Sequence, residues 1–169
     1  MYNSEIAKRV NRLLEEHNIE NPPVPVDKLV SELGITLLTE SLPEEISGIL
    51  DLRNKPVIMI NSEHFPNRKR FSLAHEIGHF ILHKPLGIHV DKQTYFRSAK
   101  SAESLDEYET DANKFAAALL MPEEMVSREL ERFTDWLDSN EDVIDILAKK
   151  FEVSTTAMGY RLENLGYYK

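Results

Sequence analysis

The sequence contains no cysteine, which excludes several kinds of site before any motif is considered. None of the 169 residues is Cys, so disulfide bonds, thiol nucleophiles and thiolate zinc sites are ruled out. Any bound metal ion must therefore be held by histidine and carboxylate side chains.

Long apolar runs are also missing. No stretch approaches the roughly 18 consecutive apolar residues that a membrane-spanning helix needs. The first 16 residues mix Asn, Glu, Lys and Arg with the apolar ones and lack the apolar core of a signal peptide. We therefore expect a cytoplasmic protein that does not contact a membrane.

Positive charge is in short supply. The chain has 20 basic and 29 acidic residues, a formal charge of −9, which disfavours non-specific binding to nucleic acid. Its 41% hydrophobic and 29% charged residues are ordinary for a globular protein. The length predicts one ordinary domain or two small units, and a basic partner would suit the charge better than an acidic one.

Hydrophobic periodicity predicts an α+β fold. Helical spacing of apolar residues indicates a first helix ending near His17, and a Pro-rich break precedes a second short helix capped by Gly34. Three apolar, partly β-branched segments then predict a small antiparallel or mixed sheet with one hairpin. These segments are 35–39, 46–53 and 57–60.

The second half of the chain is predicted to be mainly helical. A helix from Asn67, taken as its N-cap, to His83 is apolar nearly all round, as expected of a buried helix. The polar segment 84–103 is interpreted as a long functional or mobile loop, and a capping box formed by Ser104 and Glu107 opens the next helix. Three shorter helices are predicted after Pro122, namely 123–132, 141–150 and 154–165.

This organisation predicts two parts. Residues 1–135 would form one domain that carries the N-terminal helices, the sheet and the two long helices. Residues 136–169 would form a C-terminal helical subdomain with an outline like a helix-turn-helix, packed on the first part.

The segment His75-Glu76-Ile77-Gly78-His79 has the pattern H-E-x-x-H inside the predicted buried helix. Two histidines four residues apart share one helix face and can bind the same metal ion. Glu76 is placed to take a proton from a water molecule beside that ion, which is the chemistry of peptide hydrolysis. The alternative is a pair of ordinary core histidines, but two imidazoles and a carboxylate are costly in an apolar setting unless something binds them.

A catalytic zinc site needs a third protein ligand. The spacing leaves five candidates open: His83, His89, Asp91, Glu109 and Asp111. On a helical wheel Glu109 lies about 60° from the centre of the apolar face and Asp111 about 100°, so Glu109 is expected to be the more inward. Asn113, one turn after Glu109, is placed to hydrogen-bond a ligand.

Two segments resemble the ImmA/IrrE family of metallopeptidases: residues 70–83 around the motif, and residues 109–122, which read Glu-Thr-Asp-Ala-Asn and continue into an Ala-rich run. The resemblance implies that His75 and His79 bind zinc, that Glu76 is the catalytic acid and base, and that Glu109 completes the site. Many members have Glu where this chain has Asp111. The resemblance further implies that the protein substrate is a helix-turn-helix repressor, which the enzyme cleaves.

The resulting hypothesis is a zinc endopeptidase in which residues 1–135 form the metallopeptidase domain. Mn²⁺ is another ion that the same site could bind. A substrate peptide is expected to pair with a sheet edge near residues 57–61. Besides the metal, Tyr95, His89 and Tyr108 are available to stabilise an oxyanion, although a structural role is expected for each.

The rival hypothesis is a metal-binding regulatory protein that binds DNA or a partner through its C-terminal helices without proteolysis. Its support is the basic residues Lys149, Lys150 and Arg161. The charge of residues 148–169 is only +2, from four bases and two acids, which is weak beside the basic surface of a DNA reader. A helical subdomain that packs on the rest of the chain or shapes the peptide cleft explains the same pattern.

Overall fold

A computed structural model describes residues 2–92, 103–133 and 140–167. They belong to two compact units. We call Pro25–Ala116 the site unit, and Met1–Val24 with Ala117–Lys169 the helical unit. The predicted domain boundary at residues 135 and 136 falls outside the described residues and stays a prediction.

The site unit contains a mixed sheet, as the sequence predicts. Its strands are β1 (Thr36–Glu40), β2 (Ile46–Asp51), β3 (Val57–Asn61) and β4 (Ile88–Lys92), in the spatial order β1-β3-β2-β4. β1 is parallel to β3, whereas β2 is antiparallel to both β3 and β4. The predicted hairpin is the β2–β3 pair.

Strand β4 corrects two expectations. It lies within residues 84–103, which the sequence analysis interpreted as an irregular loop, and it forms one edge of the sheet. β3 is an inner strand paired on both sides, so the expected peptide docking near residues 57–61 is wrong. Among the described strands, the edges are β1 and β4.

Three helices accompany the sheet: α2 (Val26–Glu32), α3 (Pro66–Leu82) and α4 (Glu103–Leu120), the last continuing into the helical unit. α3 begins two residues earlier than predicted, with Pro66 in its first turn and Phe65, not Asn67, at the N-cap position. Proline suits this position because its fixed φ matches a helix and its missing N–H is not needed there. The predicted capping box at Ser104 involves side chains outside those described.

α3 is buried, as predicted. Residues 72–79 are all buried, and the helix packs on β2 and β3, where Leu50, Ile58 and Ile60 are almost fully enclosed. The inward face of the sheet therefore supports the histidine motif.

The helices α3 and α4 approach closely at Gly78. A Cβ built on this residue would lie 3.2 Å from the Cα atom and the carbonyl oxygen of Ala112, and 3.2 Å from Cβ of Phe115. The absent side chain therefore lets the two backbones meet.

The helical unit contains α1 (Tyr2–Glu16), α5 (Glu123–Glu131), α6 (Asn140–Phe151) and α7 (Thr155–Asn164), close to the predicted spans. The predicted apolar stripe of α1 is buried, and the Ser154 hydroxyl caps α7 by accepting a hydrogen bond from the Ala157 amide at 3.1 Å. Within the described ranges, every helix is too short or too polar to cross a lipid bilayer.

The basic residues of the C-terminal helices have partners within the helical unit. Lys150 pairs with the buried carboxylate of Glu129, which also pairs with Arg132. Arg161 donates to the carbonyl oxygen of Met121 at 2.9 Å. These contacts bind α6 and α7 to neighbouring segments of the same unit.

Candidate metal centre

The helix α3 places His75 and His79 one turn apart on the same face. Their Nε2 atoms lie 3.0 Å from each other, and both side chains are almost fully buried. The helical spacing has therefore produced the pair of converging imidazoles that the motif predicts.

The helix α4 brings Glu109 to these histidines. Its Oε2 lies 3.2 Å from Nε2 of His75 and its Oε1 lies 3.3 Å from Nε2 of His79. One donor atom from each of the three residues lies within 4.8 Å of the others, and in the described residues this is the group that could hold a metal ion. The other candidates, His83, His89, Asp91 and Asp111, are not part of it.

Burial distinguishes the two acids of α4 in an unexpected direction. The Glu109 side chain is 38% exposed, whereas Asp111 is 6% exposed, so the expectation that Glu109 is the more inward is wrong. The helical wheel gives only the angle between a residue and the apolar face of the helix. It does not show that the Glu109 side chain, within the cluster, stays partly in contact with solvent.

Asn113 fixes the orientation of His75. The Nδ1–H group of His75 donates to Oδ1 of Asn113 at 3.0 Å. A neutral imidazole protonated at Nδ1 has its lone pair on Nε2. The bond therefore favours the neutral form in which Nε2, the atom nearest Glu109 and His79, can bind a metal ion, as predicted for a residue supporting a ligand.

Glu76 lies beside the cluster, enclosed between α3 and the sheet. The side chain is fully buried, and Oε1 has no hydrogen-bond partner in the described part of the chain. Strand β2 accommodates it at Gly48, where a Cβ would lie 2.8 Å from Oε1. A buried carboxylate oxygen without a partner is rare and costly, which marks Glu76 as a functional group.

His89, on β4, lies between the two carboxylates. Its Nε2 is 2.8 Å from Oε1 of Glu109 and its Nδ1 is 3.4 Å from Oε2 of Glu76. Its ring lies over that of His79, with the centroids 3.9 Å apart. The sequence analysis named His89 only as a candidate ligand or oxyanion donor and missed this bridging position. The alternation of apolar and polar residues from Ile88 to Lys92 was the available signal, because it is typical of a strand.

Of the two tyrosines considered as oxyanion donors, the structure describes Tyr108. Tyr108 is half exposed and its ring lies 4.4 Å from that of His83, between centroids. Tyr95 lies outside the described residues. Tyr108 therefore contacts His83, a residue outside the cluster.

The protonation equilibria of the cluster are strongly coupled. Against the effect of burial, hydrogen bonds from the three histidines lower the pKa of Glu109 well below its ordinary value. Also against burial, bonds to Glu109 and Glu76 raise the pKa of His89 to about 10. Burial lowers the pKa of His79. Glu109 is thus held as an anion, the form that binds a cation.

Burial acts in the opposite direction on Glu76. It raises the pKa of this carboxyl group, and the negative charge of Asp91 adds to the rise. The pKa of His75 is raised by the hydrogen bond to Glu109 and then by Asp91, both against burial. A carboxylate with a raised pKa is a better proton acceptor at neutral pH.

The residues fit a divalent metal ion. Ligand atoms bound at about 2.0–2.1 Å to one tetrahedral zinc ion lie about 3.3 Å from one another, and the donor atoms here are separated by 3.0, 3.2 and 3.3 Å. Two imidazoles and one carboxylate form a known catalytic donor set that leaves one position open. His75, His79 and Glu109 are therefore suited to hold the ion, with Glu76 beside it.

Comparison with protein families gives a match over most of the chain. The profile of the IrrE N-terminal-like domain, a peptidase family, matches residues 30–163. This range includes the whole motif helix, Glu109 and both C-terminal helices.

Individual relatives agree with this match. The chain is 43% identical over 107 residues to the radiation response metalloprotease IrrE of Deinococcus radiodurans, covering 63% of this chain and 30% of that protein. It is 34% identical over 125 residues to the uncharacterized immunity region protein 2 of Bacillus phage phi105, covering 73% of this chain and 72% of the phage protein. The chain thus spans less than a third of the Deinococcus protease.

A solved structure shares the fold. It is described as a Mycobacterium tuberculosis transcriptional regulator, with a TM-score of 0.62 and 17% sequence identity, and the match covers 94% of this chain and 46% of that one. At this identity the likeness concerns the fold alone.

Proposed function

Because the chain belongs to the IrrE N-terminal-like family of metallopeptidases, we propose that it is a zinc-dependent endopeptidase. The observation that carries the proposal is the convergence of His75, His79 and Glu109 beside the buried carboxylate of Glu76. Mn²⁺ suits the same nitrogen and oxygen donors less well than zinc.

The proposed division of labour assigns the metal to three residues and the proton to a fourth. When bound, the ion would polarise the scissile carbonyl and lower the pKa of water. Glu76 accepts the proton of the attacking water and donates it to the leaving amine. His89 donates to Oε2 of Glu76 and orients it, while Asn113 accepts the hydrogen bond of the His75 Nδ1–H group and orients that ring.

The edge strand β4 is the proposed docking site for the peptide. In the described residues β4 pairs with β2 alone, and it carries His89 next to Glu76 and Glu109. The amide of Leu52 donates to the carbonyl of Gly87, which by alternation makes Leu50 and His89 a hydrogen-bonded pair. The backbone groups of Ile88 and Val90 then point away from β2, where an added strand would find them.

The proposed substrate is a transcriptional repressor of the helix-turn-helix class, as the resemblance to the ImmA/IrrE family implies. The relatives named as an immunity region protein and a radiation response metalloprotease favour a regulatory substrate over general degradation. A charge of −9 favours encounter with a basic protein. The cytoplasmic location expected from the sequence stays a prediction.

The DNA-binding alternative loses support from the contacts of the C-terminal helices. Of the three bases on which it depends, Lys150 is paired with Glu129 and Arg161 donates to a backbone carbonyl within the helical unit. We therefore do not propose DNA binding for this chain.

Glu76→Gln tests the proposed mechanism, because it removes the base while leaving the three donors in place. We expect this variant to retain zinc and to lose cleavage by about 10²- to 10⁴-fold. Zinc content is measured by inductively coupled plasma mass spectrometry. Cleavage of the helix-turn-helix regulator encoded beside the gene is detected by gel electrophoresis.

Two matched variants of α4 provide the controls. Glu109→Gln is expected to lose both zinc and cleavage, whereas Asp111→Asn is expected to retain zinc. A Glu76→Gln protein that still cut the substrate would refute the mechanism, and loss of zinc from Asp111→Asn alone would reassign the third ligand.

A further inference from the structure

Asp91 is an acidic residue on β4, and it has no role in the proposed mechanism. It is partly buried, and within the described residues its carboxylate makes neither a hydrogen bond nor an ion pair. It is also absent from the group of possible metal ligands. In the described part of the chain, this partly buried carboxylate beside the catalytic cluster therefore keeps hydrogen-bond acceptor capacity that a cationic ligand can use.

The pairing of β2 with β4 places Asp91 on the same face of the sheet as Glu76. Asp91 is directly opposite Gly48, and side chains of paired residues project to the same face with Cβ positions about 5 Å apart. The Cβ position of Gly48 faces Glu76 Oε1 at 2.8 Å. Because Gly48 has no side chain, nothing on β2 at this position separates Asp91 from Glu76.

The strand places Asp91 next to the proposed peptide path. Side chains of alternate residues point to one face of a strand, so Asp91 and His89 share a face, and His89 contacts both Glu76 and Glu109. A peptide paired with the free edge of β4 would project alternate side chains toward that same face. One of them would lie beside Asp91.

We propose that Asp91 selects substrates with an arginine or lysine side chain close to the scissile bond. The inference rests on the proposed peptidase function and adds to it the charge class of the sequence that is cut. The cationic group would pair with the Asp91 carboxylate, which makes neither a hydrogen bond nor an ion pair with the described residues. Arginine suits it best because a guanidinium binds a carboxylate through two parallel hydrogen bonds.

The test compares peptides that differ in charge but not in shape. Two labelled pentapeptide libraries are each randomised at four positions and carry either arginine or its neutral isostere citrulline at the fifth. The affinity of each library for zinc-loaded Glu76→Gln protein is measured by fluorescence anisotropy. We expect the arginine library to bind about tenfold more tightly, which corresponds to about 1.4 kcal/mol. Adding Asp91→Asn should abolish this difference.

A control separates Asp91 from the general negative charge of the protein. Glu40→Gln removes one charge from β1, at the opposite edge of the sheet, and should preserve the tenfold preference. Asp91→Lys should reverse selectivity toward a library carrying glutamate, a gain that a folding defect cannot produce. Equal binding of the arginine and citrulline libraries, or a preference that survives Asp91→Asn, would overturn the proposal.

Failure of the underlying peptidase function gives a different result. In that case the arginine library would still bind preferentially, but the zinc-loaded wild-type protein would cleave none of its members. Loss of zinc from Asp91→Asn, measured in the same preparations, would instead make Asp91 a metal ligand and overturn its role in selection.

Discussion

At the residue scale, the site depends on what is left out as much as on what is present. Gly48 provides the space that Glu76 occupies, because a Cβ there would lie 2.8 Å from Oε1 and 3.1 Å from Cγ. The sequence predicts the base and the two histidines because they lie within five residues of one helix. It does not predict Gly48, which lies 28 residues earlier and meets Glu76 only through the packing of a helix on a sheet.

The substitution Gly48→Ala should therefore damage the site. Overpacking a buried position costs about 1–3 kcal/mol, and here the added methyl group displaces the catalytic carboxylate. We expect a lower unfolding free energy in urea and a larger fractional loss of cleavage than of zinc affinity. Gly159→Ala is the matched control, because a Cβ there meets nothing within 4 Å. Because Gly159 is an interior position of α7, the Gly159→Ala substitution should raise the free energy of unfolding by up to about 1 kcal/mol.

At the scale of elements, local patterns were informative and long-range pairing was not. The spans of α1, α3 and the β2–β3 hairpin follow from periodicity, since their interactions are close in sequence. β4 was missed because a strand of only five residues is stabilised by pairing with β2, some 40 residues earlier in the sequence. The wheel and the family resemblance both favoured Glu109 over Asp111, but the wheel did so through an expected order of burial that the structure reverses.

The proposed use of the β4 edge predicts the effect of Val90→Pro. Proline removes an amide hydrogen that points away from β2, so the β2–β4 ladder remains intact and such an edge position tolerates it. We expect an unchanged fold by circular dichroism and at least about fivefold weaker binding of the arginine library to zinc-loaded Glu76→Gln protein. Val90→Thr, which keeps the amide, should bind normally. Unchanged binding by Val90→Pro would show that the peptide does not pair with this edge.

At the scale of the whole molecule, every residue of the candidate centre belongs to one compact unit. His75, His79 and Glu109, together with Glu76, His89 and Asn113, all lie in Pro25–Ala116. The predicted domain 1–135 contains both N-terminal helices; in the structure α1 lies in the helical unit and α2 in the site unit. Periodicity identifies the apolar face of α1 but contains no information on which segment covers it.

Metal binding should therefore stabilise the two units unequally. Zinc at 100 times its dissociation constant adds about 2.7 kcal/mol to the stability of the state that binds it. We expect hydrogen exchange followed by mass spectrometry to show slower exchange in peptides from α3 and from residues 103–116 than in those from α6 and α7. The Glu109→Gln protein should show no such change. Equal slowing throughout would mean that both units unfold as one.

One edge of β4 pairs with no other described strand, and this has a consequence for self-association. A strand whose outer backbone groups are available to a peptide is equally available to the same strand of another copy, which is how sheet proteins begin to aggregate. β4 has only five residues and ends in Asp91 and Lys92, and short, charged edges discourage such pairing. The charge that we propose for substrate selection would thus also oppose the pairing of β4 with the same strand of a second copy.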